Sequence, residues 1–302
     1  MADPPPDPAA TPPGTVCLSP SLHWTQAGQW AAVSENLAVE EPLTIEIAYE
    51  RLGQSVRRLL AVTMRTPGAD EDLALGFLFA EGLIERMDEV IGGSPAELNS
   101  RGEKIAAWTT TLRASPREDL QRVSRSLITS SACGLCGRSS LAGLPLRPVA
   151  AATPGSTWPV ALLAALPDQL QRRQTAFART GGSHGAGLAD RRGELVLVRE
   201  DVGRHNAVDK LIGAALRQNQ AFAGCALVLS GRASFELLQK AAAAGIPVVV
   251  AVGAPSSLAV QLAHSAGITL VGFARGHRCN VYTHAGRLHS PVGAPTAEAT
   301  SI

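Results

Sequence analysis

Apolar and polar residues alternate from Glu41 to Tyr49, the period of a strand with one buried face. A second strand is predicted from Arg57 to Met64, and Thr66-Pro67-Gly68 reads as a turn. Asp70 is then placed to cap a helix, in which Leu73, Phe77, Leu78 and Ile84 recur at helical spacing. A strand-like run from Lys104 to Leu112 follows, then a charged helix through Ser115 to Leu127. Further on, a helix is predicted from Val160 to Ala178, with the glycine-rich stretch Thr180 to Gly187 as a loop holding His184. Strand Glu194–Arg199 leads to helix Arg204–Arg217, and strand Ala226–Leu229 to helix Ser234–Ala244. Strand Pro247–Val252 leads to helix Ser256–Ala266, with strand Ile268–Phe273 last. Such alternation predicts βαβ units, and so an α/β protein whose C-terminal part holds a parallel or mixed sheet, preceded by an α+β unit.

The ends break this pattern. Residues 1–21 are rich in Pro and Ala and 290–302 are similarly loose, so both read as disordered tails. The expected division is an α+β subdomain over 22–127 and an α/β domain over 128–289. At 302 residues and 45% hydrophobic, the chain can bury a core of that size. A formal charge of +1 gives no sign of a polyanion binder, so nucleic acid is not an expected partner. The N-terminus lacks a basic start and an apolar stretch, and the apolar segment Ala241–Pro255 is broken by Gly245 and Pro247. No membrane association is expected, and the scatter of five cysteines suits a cytoplasmic protein better than a disulfide framework.

The chemistry concentrates at Cys133-Gly134-Leu135-Cys136. A free thiol with a pKa near ~8.5 is only slightly ionised at neutral pH, and the thiolate is the attacking species. The spacing allows a redox disulfide, half of a metal site, or a persulfide carrier. A structural zinc would need two more ligands, which Cys279, His277 and His284 could supply only through the tertiary fold, and no metal is expected. A deaminase would place a His-x-Glu upstream, but the histidine there is followed by Trp24-Thr25.

Three turns fall where such a sheet binds ligands, beyond the carboxyl ends of its strands. They are Ser230-Gly231-Arg232-Ala233-Ser234, Gly253-Ala254-Pro255-Ser256-Ser257, and Gly272 to Arg278 with Arg275. Glycine, serine and arginine before a helix suit an anion, although the first two turns also read as ordinary strand-to-helix connections with Ser caps. Walker and Rossmann glycine patterns are absent. In the polar segment Arg199 to Lys210, His205 and Asp209 lie four apart on one helix face, so Asp209 could orient His205; a capped helix start with solvated charges is the plainer reading.

Taken together, Met64-Arg65-Thr66-Pro67-Gly68, Leu75-Gly76-Phe77-Leu78 with Glu81-Gly82, Ser131 to Gly137, Thr180-Gly181-Gly182, Glu200 to Lys210, Ser230 to Ser234 and Gly272 to Arg275 resemble the formate dehydrogenase accessory sulfurtransferases, the FdhD family. The likeness runs from about Glu41 to Arg287. It implies a cytidine-deaminase-like core that has lost deaminase chemistry. It also implies a sulfur relay in which a cysteine desulfurase loads the thiol pair, with the persulfide on Cys133 and Cys136 assisting. The sulfur then passes to the bis-(molybdopterin guanine dinucleotide) molybdenum cofactor before insertion into formate dehydrogenase, and a homodimer is implied as well. The family's cofactor-binding stretch corresponds to Gly272, Phe273, Ala274, Arg275, Gly276 and His277, next to the Ser230, Gly231 and Arg232 turn. A competing expectation is a cofactor-binding chaperone that moves no sulfur.

Overall fold

The computed structural model describes residues 14–25, 28–116, 149 and 157–289. Its first element corrects the reading of the N-terminal tail. Strand β1 (Val16–Trp24) pairs antiparallel with β2 (Trp30–Ala38) as a ribbon of their own, so order begins before Ser21. Leu18, Leu22 and Trp24 recur at even positions of β1, and Trp24 meets Trp30 across the ribbon with ring centroids 4.8 Å apart. The prolines before Val16 hide that alternation when composition alone is read.

The next unit is a four-stranded sheet in the order β4-β3-β6-β5. Strand β3 (Glu41–Arg51) runs antiparallel to β4 (Gln54–Arg65) and parallel to β6 (Ala106–Leu112), which pairs antiparallel with β5 (Val90–Ala96). Helix α1 (Asp70–Ala80) follows β4. Asp70 is its first helical residue rather than its cap: Ala69, in the left-handed region at φ 55°, holds the cap position. The Asp70 carboxylate is instead held by Arg65, whose Nε donates at 2.8 Å. The helix expected to reach Leu127 lies, from 117 onward, outside the described residues, as does the expected division near 127.

The C-terminal part holds the expected mixed sheet, six strands in the order β13-β12-β11-β10-β8-β9. A short strand β7 (Trp158–Pro159) precedes α2 (Val160–Arg173) and α3 (Thr175–Thr180). The single helix predicted to Ala178 is thus divided at Gln174, which leaves the helical region at φ −86° and ψ 84°. Strand β8 (His184–Ala189) runs through the segment read as a loop. Its glycines serve packing: a Cβ at Gly187 would lie 2.9 Å from Leu195 Cδ2. Strand β9 (Leu195–Asp201), α4 (Arg204–Arg217), β10 (Ala226–Leu229), α5 (Phe235–Ala244), β11 (Val248–Ala251), α6 (Ser257–Ser265) and β12 (Thr269–Arg275) follow, close to the predicted bounds. Strands β10, β11 and β12 are parallel, whereas β8 is antiparallel to β9 and β10, and β13 (Arg278–Val281) to β12. The last strand, β14 (Leu288–His289), pairs with β7.

Alternation along these strands builds two faces. Val228, Val250 and Val271 pack with Leu163, Leu166 and Leu170 of α2. Leu227, Val249 and Leu270 face the other way, into a cluster with α4, α5 and α6 that continues through α1 to Ile45 and Ile47 of the first sheet. One apolar core therefore joins the two sheets. At its centre α1 and α4 cross in backbone-to-backbone contact. A Cβ on Gly76 would lie 1.9 Å from the Asp209 carbonyl oxygen, and one on Gly213 would lie 1.9 Å from that of Asp72. Among the described residues, no helix is long and apolar enough to cross a membrane.

Candidate functional site

Cys133 and Cys136 lie outside the described residues, so the site is built here from the turns at the sheet's ligand-binding edge. Those turns lean on one another. Gly253 N–H donates to the Gly231 carbonyl at 3.0 Å, Ala233 N–H to Ala254 at 3.2 Å, and Ser256 N–H to Ala233 at 3.0 Å. Phe273 N–H donates to Gly253 at 3.2 Å. Several amides that an anion would have used are thus already engaged. Ser256 caps its helix, accepting from Ala259 N–H at 3.2 Å, whereas Ser234 makes no such bond and its hydroxyl is buried without a partner.

The third turn joins two strands rather than a strand and a helix. Strand β12 continues to Arg275, and Gly276 and His277, at φ 56° and 64°, close a two-residue hairpin to β13. Two positive φ angles in such a loop belong to the type I′ turn, which suits the right-handed twist of paired strands. Arg275 and Arg278 face one another across it. Gly272 is a packing glycine, since a Cβ there would lie 3.0 Å from both Pro255 Cδ and Tyr282 Cε2.

A cleft of about 430 Å³ opens between this edge and the α2–α3 break. Ser230, Ala274 and Arg275 line it, together with Asp168, Gln174 and His184. A second cleft of about 360 Å³ adjoins it through Asp168 and is lined by Arg172, Arg173 and His277. The turns therefore distribute the sequence-selected residues. Ser230, Ala274 and Arg275 share the larger cleft and His277 the smaller, while Gly231, Arg232, Gly272, Phe273 and Gly276 frame the edge without lining either. His184, flagged as a loop histidine near a pocket, opens β8 and does line the cleft. Burial, with Arg204 and His205 adding to it, holds its imidazole below the ordinary value of 6.5, so it is neutral at neutral pH. Sequence reasoning passed over Asp168 and Gln174, because an Asp and a Gln in an amphipathic helix look like solvent-facing positions.

The polar segment that opens α4 works behind the cleft. Asp209 does not orient His205: Lys240 Nζ donates to both its carboxylate oxygens, at 2.7 and 2.8 Å, and His205 Nε2 lies 2.9 Å from Glu236 Oε2 instead. Burial pushes the Asp209 carboxyl up, and Lys240 pulls against it. Glu200 accepts from Ala176 and Phe177 N–H at 2.9 and 2.8 Å and from the Ser183 hydroxyl at 2.8 Å, fixing α3 beside the cleft. His277, Cys279 and His284 do not converge, and among the described residues no group of three or more His, Cys, Asp or Glu is placed to hold a metal ion.

These features define an α/β protein with a cleft at the carboxyl edge of a mixed sheet and a thiol pair elsewhere in the same chain. Residues 38–289 match the FdhD/NarQ family, and the chain belongs to it. It is 49% identical over 294 residues to the sulfur carrier protein FdhD of Anaeromyxobacter dehalogenans strain 2CP-C, covering 93% of this chain and 96% of that one. It is 46% identical over 263 residues to the sulfur carrier protein FdhD of Mycobacterium tuberculosis strain H37Rv, covering 84% and 92%. A crystal structure of a proposed formate dehydrogenase accessory protein from Desulfotalea psychrophila superposes with a TM-score of 0.67 at 25% identity, over 91% of this chain and all of that one.

Proposed function

We propose that this chain is a sulfur carrier of formate dehydrogenase maturation. The observation that carries the reading is identity of 46–49% over most of the chain to proteins named sulfur carriers. The cleft with Arg275 and Ser230 supports it, because a volume of about 430 Å³ suits one nucleotide arm of a larger ligand.

In this scheme the Cys133 thiolate attacks the terminal sulfur of a persulfide on a cysteine desulfurase, and the desulfurase thiolate leaves. Cys133 then holds the sulfane sulfur as its own persulfide. Attack by the Cys136 thiolate on the Cys133 sulfur forms a Cys133–Cys136 disulfide and releases sulfide, with both electrons supplied by the thiol pair. The sulfide passes to the bis-(molybdopterin guanine dinucleotide) molybdenum cofactor, which is the substrate, and a thiol reductant restores the pair. Arg275 and Ser230 hold a nucleotide arm of the cofactor during this exchange, before it enters formate dehydrogenase. The working unit is a homodimer, which sedimentation equilibrium measures directly.

Mass spectrometry after incubation with a cysteine desulfurase and cysteine tests the chemistry. The expected result is a gain of one sulfur, about 32 Da, that is lost in Cys133→Ala. Full formate dehydrogenase activity in cells carrying only Cys133→Ala would overturn it and leave a cofactor-binding chaperone as the function.

A further inference from the structure

Among the described residues, the ribbon of β1 and β2 is a sheet of two strands with no third on either side. Every second residue pair, from Val16 with Ala38 to Trp24 with Trp30, lies on one of its faces. The base of that face is seated on the rest of the fold: Val16 and Ala38 are half-buried, and a Cβ on Gly182 would lie 3.4 Å from the Ala38 Cβ. Further out the face is bare. Leu18 is 73% exposed, Leu22 68%, Trp24 54% and Trp30 65%. None of its residues is charged, since His23 and Glu35 belong to the opposite face. Neither apolar cluster of the fold includes a residue of the ribbon.

A two-stranded ribbon alone is at best marginally stable in water, and needs a third strand or an apolar layer against it. A contiguous apolar patch of this kind marks a surface that is covered in use. The cover has to be present whenever the chain is folded, because the ribbon is part of the fold. A client that arrives and departs would leave it bare between visits, whereas a second copy of the chain is always at hand. The chemistry of the face agrees. Contacts between like subunits are depleted of charge at their core and enriched in Trp, while partners found by electrostatic steering meet charged surfaces. Nine residues to a strand make the ribbon about 30 Å long. Its face and two edges then offer roughly 600 Å², and two copies about 1,200 Å² together, the low end of stable specific interfaces. We propose that this face, centred on Leu18, Leu22, Trp24 and Trp30, is the surface through which the chain pairs with a second copy of itself. The inference rests on the homodimer set out above and names its contact. About a two-fold axis the same patch serves on both copies, so both ribbons are covered at once.

Sedimentation equilibrium of the full chain and of two variants tests this. The unaltered protein is expected to be a dimer, and Leu22→Asp, which sets a carboxylate on the apolar face, should raise its dissociation constant about a hundredfold or more. Trp30→Ser removes an aromatic anchor without adding charge and should act in the same direction. Both variants leave the apolar clusters of the fold intact, so both are expected to fold. The unaltered dimer gives a second reading that needs no variant. Trp158 is buried and Trp108 half-buried, so acrylamide quenching of tryptophan emission reports on Trp24 and Trp30, and little quenching is expected. Dimers of undiminished strength in both variants, or ready quenching in the unaltered dimer, overturn the inference and leave the homodimer standing. An unaltered protein that sediments as a monomer removes the homodimer, and this inference with it. A monomer whose tryptophan emission shifts to the blue on phosphatidylcholine vesicles would assign the face to a lipid surface instead. Sulfur uptake at Cys133, read by mass, is independent of each of these outcomes.

Discussion

His184 is the side chain whose charge is most closely governed by its surroundings. Burial and the nearby Arg204 and His205 disfavour its imidazolium, while Asp201 weakly favours it. Because the folded-state value is below 6.5, the unfolded chain binds the proton more readily. Its contribution to stability is therefore complete above that pH and is lost as pH falls below it. Thermal midpoints recorded between about pH 5 and 8 should decline towards acid, and His184→Gln should flatten that decline. The imidazole is only half-buried, so the effect is modest. An equal slope in the two proteins would show that His184 is not the group responsible. In the neutral form it offers one donor and one acceptor to the cleft, which Arg275 also lines.

At the scale of elements, the crossing of α1 and α4 sets how closely the two halves can approach. Helix propensity alone favours alanine over glycine in a helix interior by about 1 kcal/mol. Packing opposes it, because a Cβ on Gly76 would lie 1.9 Å from the Asp209 carbonyl oxygen, a backbone atom that cannot swing away. Overpacking costs typically about 1–3 kcal/mol and more where the backbone must yield, so packing wins. Gly76→Ala should thus lower stability by about 2 kcal/mol or more in denaturant titration; an unchanged or raised midpoint would show that the helices can separate freely. The same reasoning explains Gly213, where a Cβ would lie 1.9 Å from the Asp72 carbonyl oxygen.

Over the whole molecule, Asp201 ties the N-terminal unit to the sheet that carries the cleft. It is fully buried and accepts from Lys210 Nζ at 2.7 Å, Gly203 N–H at 2.8 Å, Thr66 N–H at 3.1 Å and Asn206 Nδ2 at 3.2 Å. Lys210, itself 2% exposed, also donates to the Thr66 carbonyl at 2.7 Å. Two sequence segments 135 residues apart, around Thr66 and Asp201, thus complete each other. Asp201→Asn leaves a buried ammonium without its counter-ion, at a cost of about 3–5 kcal/mol. Adding Lys210→Met should recover part of that loss, because it removes the stranded charge. A single variant as stable as the parent would mean that the two units are held by their apolar core alone.

Local periodicity determined most of the elements. The parallel strands and helices from Leu195 to Arg275 fall near their predicted bounds, because buried strands and amphipathic helices each carry their own repeat. Two kinds of element escaped it. Val16–Trp24 was masked by neighbouring prolines, and His184–Ala189 by glycines whose purpose is to admit Leu195 and Gln174. The site divided in the same way. Residue type marked Ser230, Arg275 and the polar start of α4 as chemically unusual. Only the tertiary fold decided which of those groups are consumed by partners and which face the cleft, because a hydrogen-bond partner or an unfilled donor is fixed by residues far apart in the chain. Asp209 was thereby claimed by Lys240, while His184 and Arg275 were left lining the cleft.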